Sequence, residues 1–593
     1  MDLKKFFSEL KRREVYKVAI VYGITAWLIA QISGLVSTSF DFPSWVMQMI
    51  ITILIIGFPI ALILSWVFEV SSKGIKKTAP LASDGSDEHK LMETRLVIGI
   101  LVLIGLLMVG GWWTWQKFGF DKSPPIRNLV VLPFDNYTGS DEYDYFVAGM
   151  HSSLIQDIGK IGELTVKSKT TANSYKVTDL SVPEIAAELG IDAAVEGSIT
   201  CMGEDSVCVQ IRLIRAYPEE KQVWVQDYRV EKSQILNFYN KVTKTISKEI
   251  NIVLTPQEEN LLAETRTVDP KAYDAYLKGI YYYHQMTPEA FQKALEYFML
   301  AIEKDPEWGP PYAGIAEFWI GMRQMGLAPS SVTIPKIYEY LDKATELDPN
   351  SANTHYVNAL AAVWTGFNWE KGEKEFLKSL EINPNDAYSR MFYAHFLMIM
   401  KRKDEALTQG KLALELDPLN PGLQALYLVV LADAGDYEQA ISLAEEVLAV
   451  VPNQPLAIST LYLICFIQKD YKKSLEYWTL YFPLEEDTRL TILKTFEEQG
   501  FHKAIEEYII EVEKITGDSY PMDLAQLYTT IKEYSKAFIW LEKAYTDHDA
   551  NLPYLSTFFV SFDTLFVSDP RYIDIVEKMN LALIDKQQAI ENN

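Results

Sequence analysis

Proline recurs at a nearly fixed interval through the second half of this 593-residue chain. Helix stops, mostly after Asp or Asn, fall at Pro306, Pro349, Pro384, Pro418 and Pro452, with intervals of 43, 35, 34 and 34 residues. Proline cannot continue a helix interior, because it lacks the N–H and its ring clashes with the preceding turn. Small residues recur where paired helices must approach closely: Ala294 and Ala301, Ala344, Ala406 and Ala413, Ala440 and Ala444. One such unit cannot bury its own apolar face, so the units must stack.

A 34-residue step of two antiparallel helices is that of the tetratricopeptide repeat. The 43-residue interval carries an insertion, 326–335, expected between the two helices of one unit. Beyond Pro452 the pattern weakens but continues, with Ser474, Ala504 and Ala537 each opening a second helix. About eight units are expected over 272–550, with capping helices over 551–593. Such a solenoid has a concave groove suited to peptides or extended protein segments. Trp364, Arg390 and His395 on first helices are candidate groove residues, and the same residues are compatible with core or solvated positions. No repeat supplies a convergent acid–base pair.

The N-terminal part obeys different rules. Three runs, 18–36, 46–68 and 96–115, approach the roughly 20 apolar residues that a membrane-spanning helix requires. Tryptophans 27, 45, 66, 112, 113 and 115 lie near or between their ends, as an interfacial belt requires. Pro59 predicts a kink. The first run follows Lys4, Lys5, Lys11, Arg12 and Arg13, but no small-residue cleavage site succeeds it, so it reads as a retained anchor rather than a signal peptide. Basic residues also crowd 70–95 (Lys73, Lys76, Lys77, Lys90 and Arg95), and none lies in 37–45. The positive-inside rule then puts a stub, 1–14, and the loop 70–95 in the cytoplasm, the stub preceding a membrane module over 15–117. An odd number of spans sends everything after Trp115 to the outer face, the periplasm of a Gram-negative envelope.

Charge separates the two parts. Up to Lys117 there are 12 basic against 9 acidic residues, and the remainder holds 43 against 71. A surface that acidic repels phosphate backbones and argues against a nucleic-acid partner.

Between them, 126–255 alternates strand and helix signals: strands at 129–134, 164–167, 193–201, 207–216 and 222–230, and helices at 143–160, 183–189 and 235–250. This is a small α/β domain ending in antiparallel strands. It has neither a phosphate-loop Lys-Ser/Thr nor GxGxxG, and the seven histidines of the chain show no ligand-like spacing, so no cofactor, catalytic residue or metal site is expected. His151 beside Ser152 and Ser153 does not make a nucleophile pair, since adjacent residues on a helix do not face each other. Cys201 and Cys208 flank a turn centred on Glu204–Asp205 that would set them opposite one another, within disulfide range. A one-residue slip of register would instead place them on opposite faces. Cys465 reads as a small buried apolar residue.

The block 6–20 (FFSELKRREVYKVAI), followed by Pro43-Ser-Trp45 and 57–69 (GFPIALILSWVFE), resembles a membrane module of many bacterial repeat proteins. LVVLPFDNYTGSDEYDYFVAGM (129–150), with EIAAELGIDAAVEGSI (184–199) behind it, is similar to the FlgO-type domain and to the N-terminal domain of TolB. The tail Ser568-Asp-Pro-Arg-Tyr572 is similar to the closing motif of those proteins. Some relatives place an adenylate cyclase or winged-helix domain ahead of the membrane module. Only 14 residues precede Val15 here, so neither activity is expected to carry over. The resemblance implies a mainly α protein of the bacterial cell envelope. The expected function is a non-enzymatic scaffold that is anchored in the lipid bilayer and binds protein or peptide partners. The alternative is a transmembrane regulator acting through a membrane partner.

Overall fold

In the computed structural model, residues 15–39, 44–71, 74–77, 124–263, 266–285, 287–557 and 564–582 are described. The chain divides into two compact units, Met1–Lys122 and Ser123–Asn593.

The first unit contains α1 (Val15–Ser39), α2 (Ser44–Val67) and a hairpin of β1 (Phe68–Ser71) with β2 (Gly74–Lys77). The two helices meet where the Tyr22 hydroxyl donates to the Leu54 carbonyl at 2.7 Å. Ile20, Val21, Ile24 and Trp27 of α1 are exposed. The expectation of three spans is corrected here. Among the described residues one helix is long and apolar enough to cross a bilayer, Val15–Ser33, with mean hydropathy 1.5. The second expected span falls in α2, where a shorter apolar stretch, Ile50–Leu62, stands out among the described residues. The third, 96–115, lies outside the described residues.

The second unit begins with a sheet: β3 (Asn128–Val131), β4 (Asp135–Asn136), β5 (Thr165–Val166), β6 (Ala193–Met202), β7 (Ser206–Arg215) and β8 (Lys221–Glu231), in the order β5-β3-β6-β7-β8 with β4 also on β6. The β3 partners are parallel, and β6-β7-β8 form an antiparallel meander. Strand alternation divides the apolar residues between two faces. Val130, Ala194 and Ile214 pack on α5 (Val182–Leu189). Leu129, Val131, Val195 and Ile211 pack with α3 (Asp144–Ile158) and α6 (Ile235–Glu249). Between these elements lies α4 (Lys169–Asn173), and after them α7 (Pro256–Leu261).

Eight antiparallel helix pairs follow: α8 (Pro270–Tyr283) with α9 (Pro288–Lys304), α10 (Pro310–Gln324) with α11 (Ser330–Leu347), α12 (Ala352–Leu360) with α13 (Trp369–Ile382), α14 (Ala387–Ile399) with α15 (Lys403–Leu416), α16 (Pro421–Asp433) with α17 (Tyr437–Val450), α18 (Pro455–Ile467) with α19 (Tyr471–Tyr481), α20 (Glu486–Gln499) with α21 (Phe501–Thr516), and α22 (Pro521–Thr530) with α23 (Tyr534–Thr546). This is a helical-repeat solenoid. Asn368, Asp386, Asn420, Asp436 and Asp470 cap helix starts by accepting from first-turn N–H groups. In seven pairs the turn between the helices contains a residue with positive φ: Gly326, Phe367, Lys401, Gly435, Lys469, Gly500 and Lys532. Ala406, Ala413, Ala440 and Ala444 are fully buried where the helices meet.

Two irregular intervals have local causes. The extra residue between Pro349 and Pro384 is absorbed by a π-helical turn, Ala361–Thr365, that ends α12. The expected insertion at 326–335 is shorter than its sequence suggests, because α11 already begins at Ser330 and carries Pro335 inside it. Pro335 is the sixth residue of that helix, so the helix forgoes one backbone bond, to the Ser331 carbonyl.

The α/β domain is not merely strung ahead of the solenoid. Its lower face shares a core with α8 through Tyr273 and Leu277, and the Tyr239 and Tyr273 hydroxyls bond at 2.7 Å. Residues 159–171 also dock on two later inter-repeat turns. Asn385 accepts from the Val166 N–H at 2.9 Å and donates to the Gly159 carbonyl at 2.9 Å. Asp417 accepts from the Thr171 N–H at 2.9 Å and its hydroxyl at 2.7 Å. Lys167 Nζ reaches the Glu415 carbonyl at 2.7 Å.

After α23 the chain makes a 3-10 turn, Leu552–Ser556, and ends its described part in α24 (Thr564–Val567) and α25 (Pro570–Lys578).

Candidate functional site

Wherever like helices of neighbouring pairs pack together within the first six repeats, they are the first helices: α8 on α10, α10 on α12, α14 on α16, α16 on α18. The first helices therefore line the inside of the curve, the face on which such solenoids present their concave surface.

Over the middle repeats this inner face is occupied by the chain's own C-terminal segment. Trp364 and His395 are each only 2% exposed. His395 Nε2 lies 3.0 Å from the Leu426 carbonyl. A carbonyl can only accept, so Nε2 carries the proton and Nδ1 accepts from the Tyr554 hydroxyl, also at 3.0 Å. Burial pushes the His395 imidazole down to about 4, against the raising effect of the Leu426 carbonyl. The Tyr554 ring lies 6.4 Å from Trp364 and edge-on to His395 at 5.8 Å. His548 stacks on Phe367 with centroids 5.1 Å apart, and Trp369 Nε1 donates to the Met579 carbonyl at 2.6 Å.

Arg323 ties these parts together. Its guanidinium donates to the Trp364 carbonyl at 3.0 Å and to the His548 carbonyl. Burial draws it down to about 10, while Asp549 favours its charge. Asp549 itself accepts from the Asn551 and Met522 N–H groups. Beside it, Asp523 is pushed up to about 7 by burial first and by Asp549 second. Sequence reading missed Arg323, Asp523 and Asp549, which no motif marks.

Of the three expected groove residues, the structure brings Trp364 and His395 together under Tyr554. Arg390 lies apart from them, half-buried, donating from Nε to the Pro384 carbonyl and through its guanidinium to Gln409, both at 2.8 Å. At the other end of α14 from His395, Tyr388 is 43% exposed and accepts from Asn420 at 3.2 Å. Glu317 still touches solvent, yet the surrounding walls push its carboxyl up to about 7, with Asp386 adding to the rise. Among the described residues no group of three or more His, Cys, Asp or Glu is arranged to hold a metal ion.

In the α/β domain, His151 is buried beneath the sheet with Nε2 on the Val131 carbonyl at 2.8 Å, and burial pushes it down to about 4. Cys201 and Cys208 are cross-strand partners at the tip of the β6–β7 hairpin and are joined by a disulfide, with Cα atoms 4.9 Å apart. The register shifts by one residue between Ile199 and Cys201, and that shift sets the two cysteines opposite. Cys465 is free and buried.

No family model matches the chain. It is 24% identical over 267 residues to "Putative adenylate cyclase 3" of Rhizobium meliloti, covering 42% of this chain and 45% of the relative. Over 329 residues it is 24% identical to the transcriptional regulator HilA of Salmonella typhimurium, covering 54% of this chain and 57% of that protein. The chain thus spans about half the length of the curated relatives it matches. Among solved structures, Pseudomonas aeruginosa PilF is similar at 20% identity and a TM-score of 0.27, covering 34% of this chain and 93% of that one.

Proposed function

We propose that the chain is a non-enzymatic scaffold that binds protein or peptide segments on its solenoid and is held at a bilayer by α1. The observation that carries this reading is the continuous inner row of first helices, which offers an extended surface rather than a converging catalytic constellation. The FlgO/TolB-like resemblance of the α/β domain supports an envelope role. Basic residues ahead of Val15 favour a cytoplasmic N-terminus, which directs the acidic remainder to the opposite, periplasmic side. The Cys201–Cys208 bond supports an oxidising compartment there. The acidic surface disfavours nucleic acid.

A photo-crosslinking residue at Tyr388, exposed on a first helix, tests this in membranes of the host cell. It should trap discrete protein bands that the same residue at Lys378, on a second helix, does not. Equal trapping at both positions would remove the inner face as the binding surface.

A further inference from the structure

Much of the inner face is not free, and its occupant differs in character from the repeats around it. Residues 548–557 belong to no helix pair and lie along the second to fourth repeats. They present a carbonyl to Arg323 (His548), a ring to Phe367 (His548), and a hydroxyl to His395 over Trp364 (Tyr554). This is the contact pattern of an extended segment bound to a groove: backbone recognition by a fixed donor, plus one aromatic anchor in a pocket.

The segment and its surroundings also hold buried polar atoms without partners. Ser556 Oγ and His548 Nδ1, together with Asp523 Oδ2 that lies against Asp549, are buried without a hydrogen-bond partner. A buried polar atom normally finds one, so each such atom lowers the cost of opening. His548 closes α23 in the left-handed conformation (φ 52°), as Phe367, Lys401, Lys469 and Lys532 do in the repeat turns. Two of these unpartnered atoms thus sit on a segment that belongs to no repeat, while its anchors Leu552 and Leu555 are fully buried.

We infer that residues 548–557 act as an internal ligand that occupies the inner face in place of a partner segment. Release of this strap exposes Arg323, Trp364 and His395 to an extended protein segment bearing an aromatic hydroxyl. The inference rests on the reading that the inner face binds protein segments, and adds that this binding is autoinhibited.

Hydrogen exchange on the full chain in detergent tests release. Amides of 552–557 should exchange well ahead of those in α14 and α16. Exchange of strap and helices at one common rate would make the segment a fixed part of the core and end the proposal.

A fluorescein-labelled peptide of the chain's own sequence 548–557 then tests occupancy. Tyr554→Phe removes only the hydroxyl that donates to His395, a loss worth about two- to tenfold in a local equilibrium. The Tyr554→Phe chain should bind the peptide correspondingly more tightly than the unsubstituted chain, and His395→Ala in the same background should cancel the gain. Equal binding to the unsubstituted and Tyr554→Phe chains overturns the internal-ligand assignment. If the strap opens in exchange yet the peptide binds no variant, that assignment also falls, while the crosslinking result at Tyr388 still decides the scaffold reading on its own.

Discussion

Replacing Asp523 with asparagine should stabilise the protein at neutral pH and not at acidic pH. Burial and the neighbouring Asp549 raise the Asp523 carboxyl from its ordinary 3.8 to about 7. The folded state therefore binds this proton more tightly than the unfolded chain does. The resulting stabilisation is full below pH 4 and is lost as pH climbs through 7. A rise of about three units corresponds to about 4 kcal/mol at 1.36 kcal/mol per unit, and residual solvent contact brings this to about 2–4 kcal/mol. The amide introduced by Asp523→Asn cannot ionise, so the variant should match the unsubstituted chain only below about pH 4, gain on it steadily from pH 4 to 7, and exceed it by about 2–4 kcal/mol at pH 8. His151 and His395 work in the opposite sense. Each is held near 4, below the ordinary 6.5, so the unfolded chain takes up protons first and stability is lost as pH falls from 6.5 toward 4. The parent profile is consequently flattened, and only the difference between variant and parent isolates Asp523. Urea unfolding followed by far-ultraviolet circular dichroism at pH 5, 6, 7 and 8 supplies that difference. A pH-independent difference, or a variant less stable than the parent at pH 8, would refute the reasoning.

Removing the Asp417 carboxylate by Asp417→Ala should cost about 1–3 kcal/mol, since the Thr171 amide and hydroxyl lose their acceptor; urea midpoints measure it. Gly410→Ala builds a Cβ 2.5 Å from the Tyr427 ring, and Ala406→Leu overfills a fully buried contact, so each should lose about 1–3 kcal/mol in the same assay. Mass spectrometry of unreduced protein should find Cys201 and Cys208 bonded, and Cys208→Ser should cost at most about 2–3 kcal/mol because the closed loop is short. A reporter active only outside the cytoplasm, fused after Asn593, should be active; activity of a cytoplasm-only reporter there would reverse the proposed orientation.

The helix pairs could be read from sequence because proline and the buried alanines act locally, each fixing its own turn or contact. The strands of 193–231 could be read for a similar reason: Val195, Ile211 and Leu213 alternate with polar neighbours along each strand. The short β4 could not, since Asp135 and Asn136 are polar and owe their pairing to Ser198 and Ile199 on a remote strand. The docking of the α/β domain was hidden in residues with two roles. Asn420 looks like a helix cap and is one, yet it also reaches Thr170 and Tyr388. Trp364 and His395 have the same sequence character whether they face a partner or Tyr554, so burial under the chain's own tail carries no local signal.

A row of stacked repeats ordinarily frays, because each unit is held only by its neighbours and melting can creep inward from either end. Here Val166 is tied to Asn385 across 219 positions and Thr171 to Asp417 across 246. These links act as cross-braces that close the array into loops. The fourth and fifth repeats cannot loosen without disturbing the sheet. The first half of the solenoid is thereby turned from an extensible spring into a truss whose parts melt together.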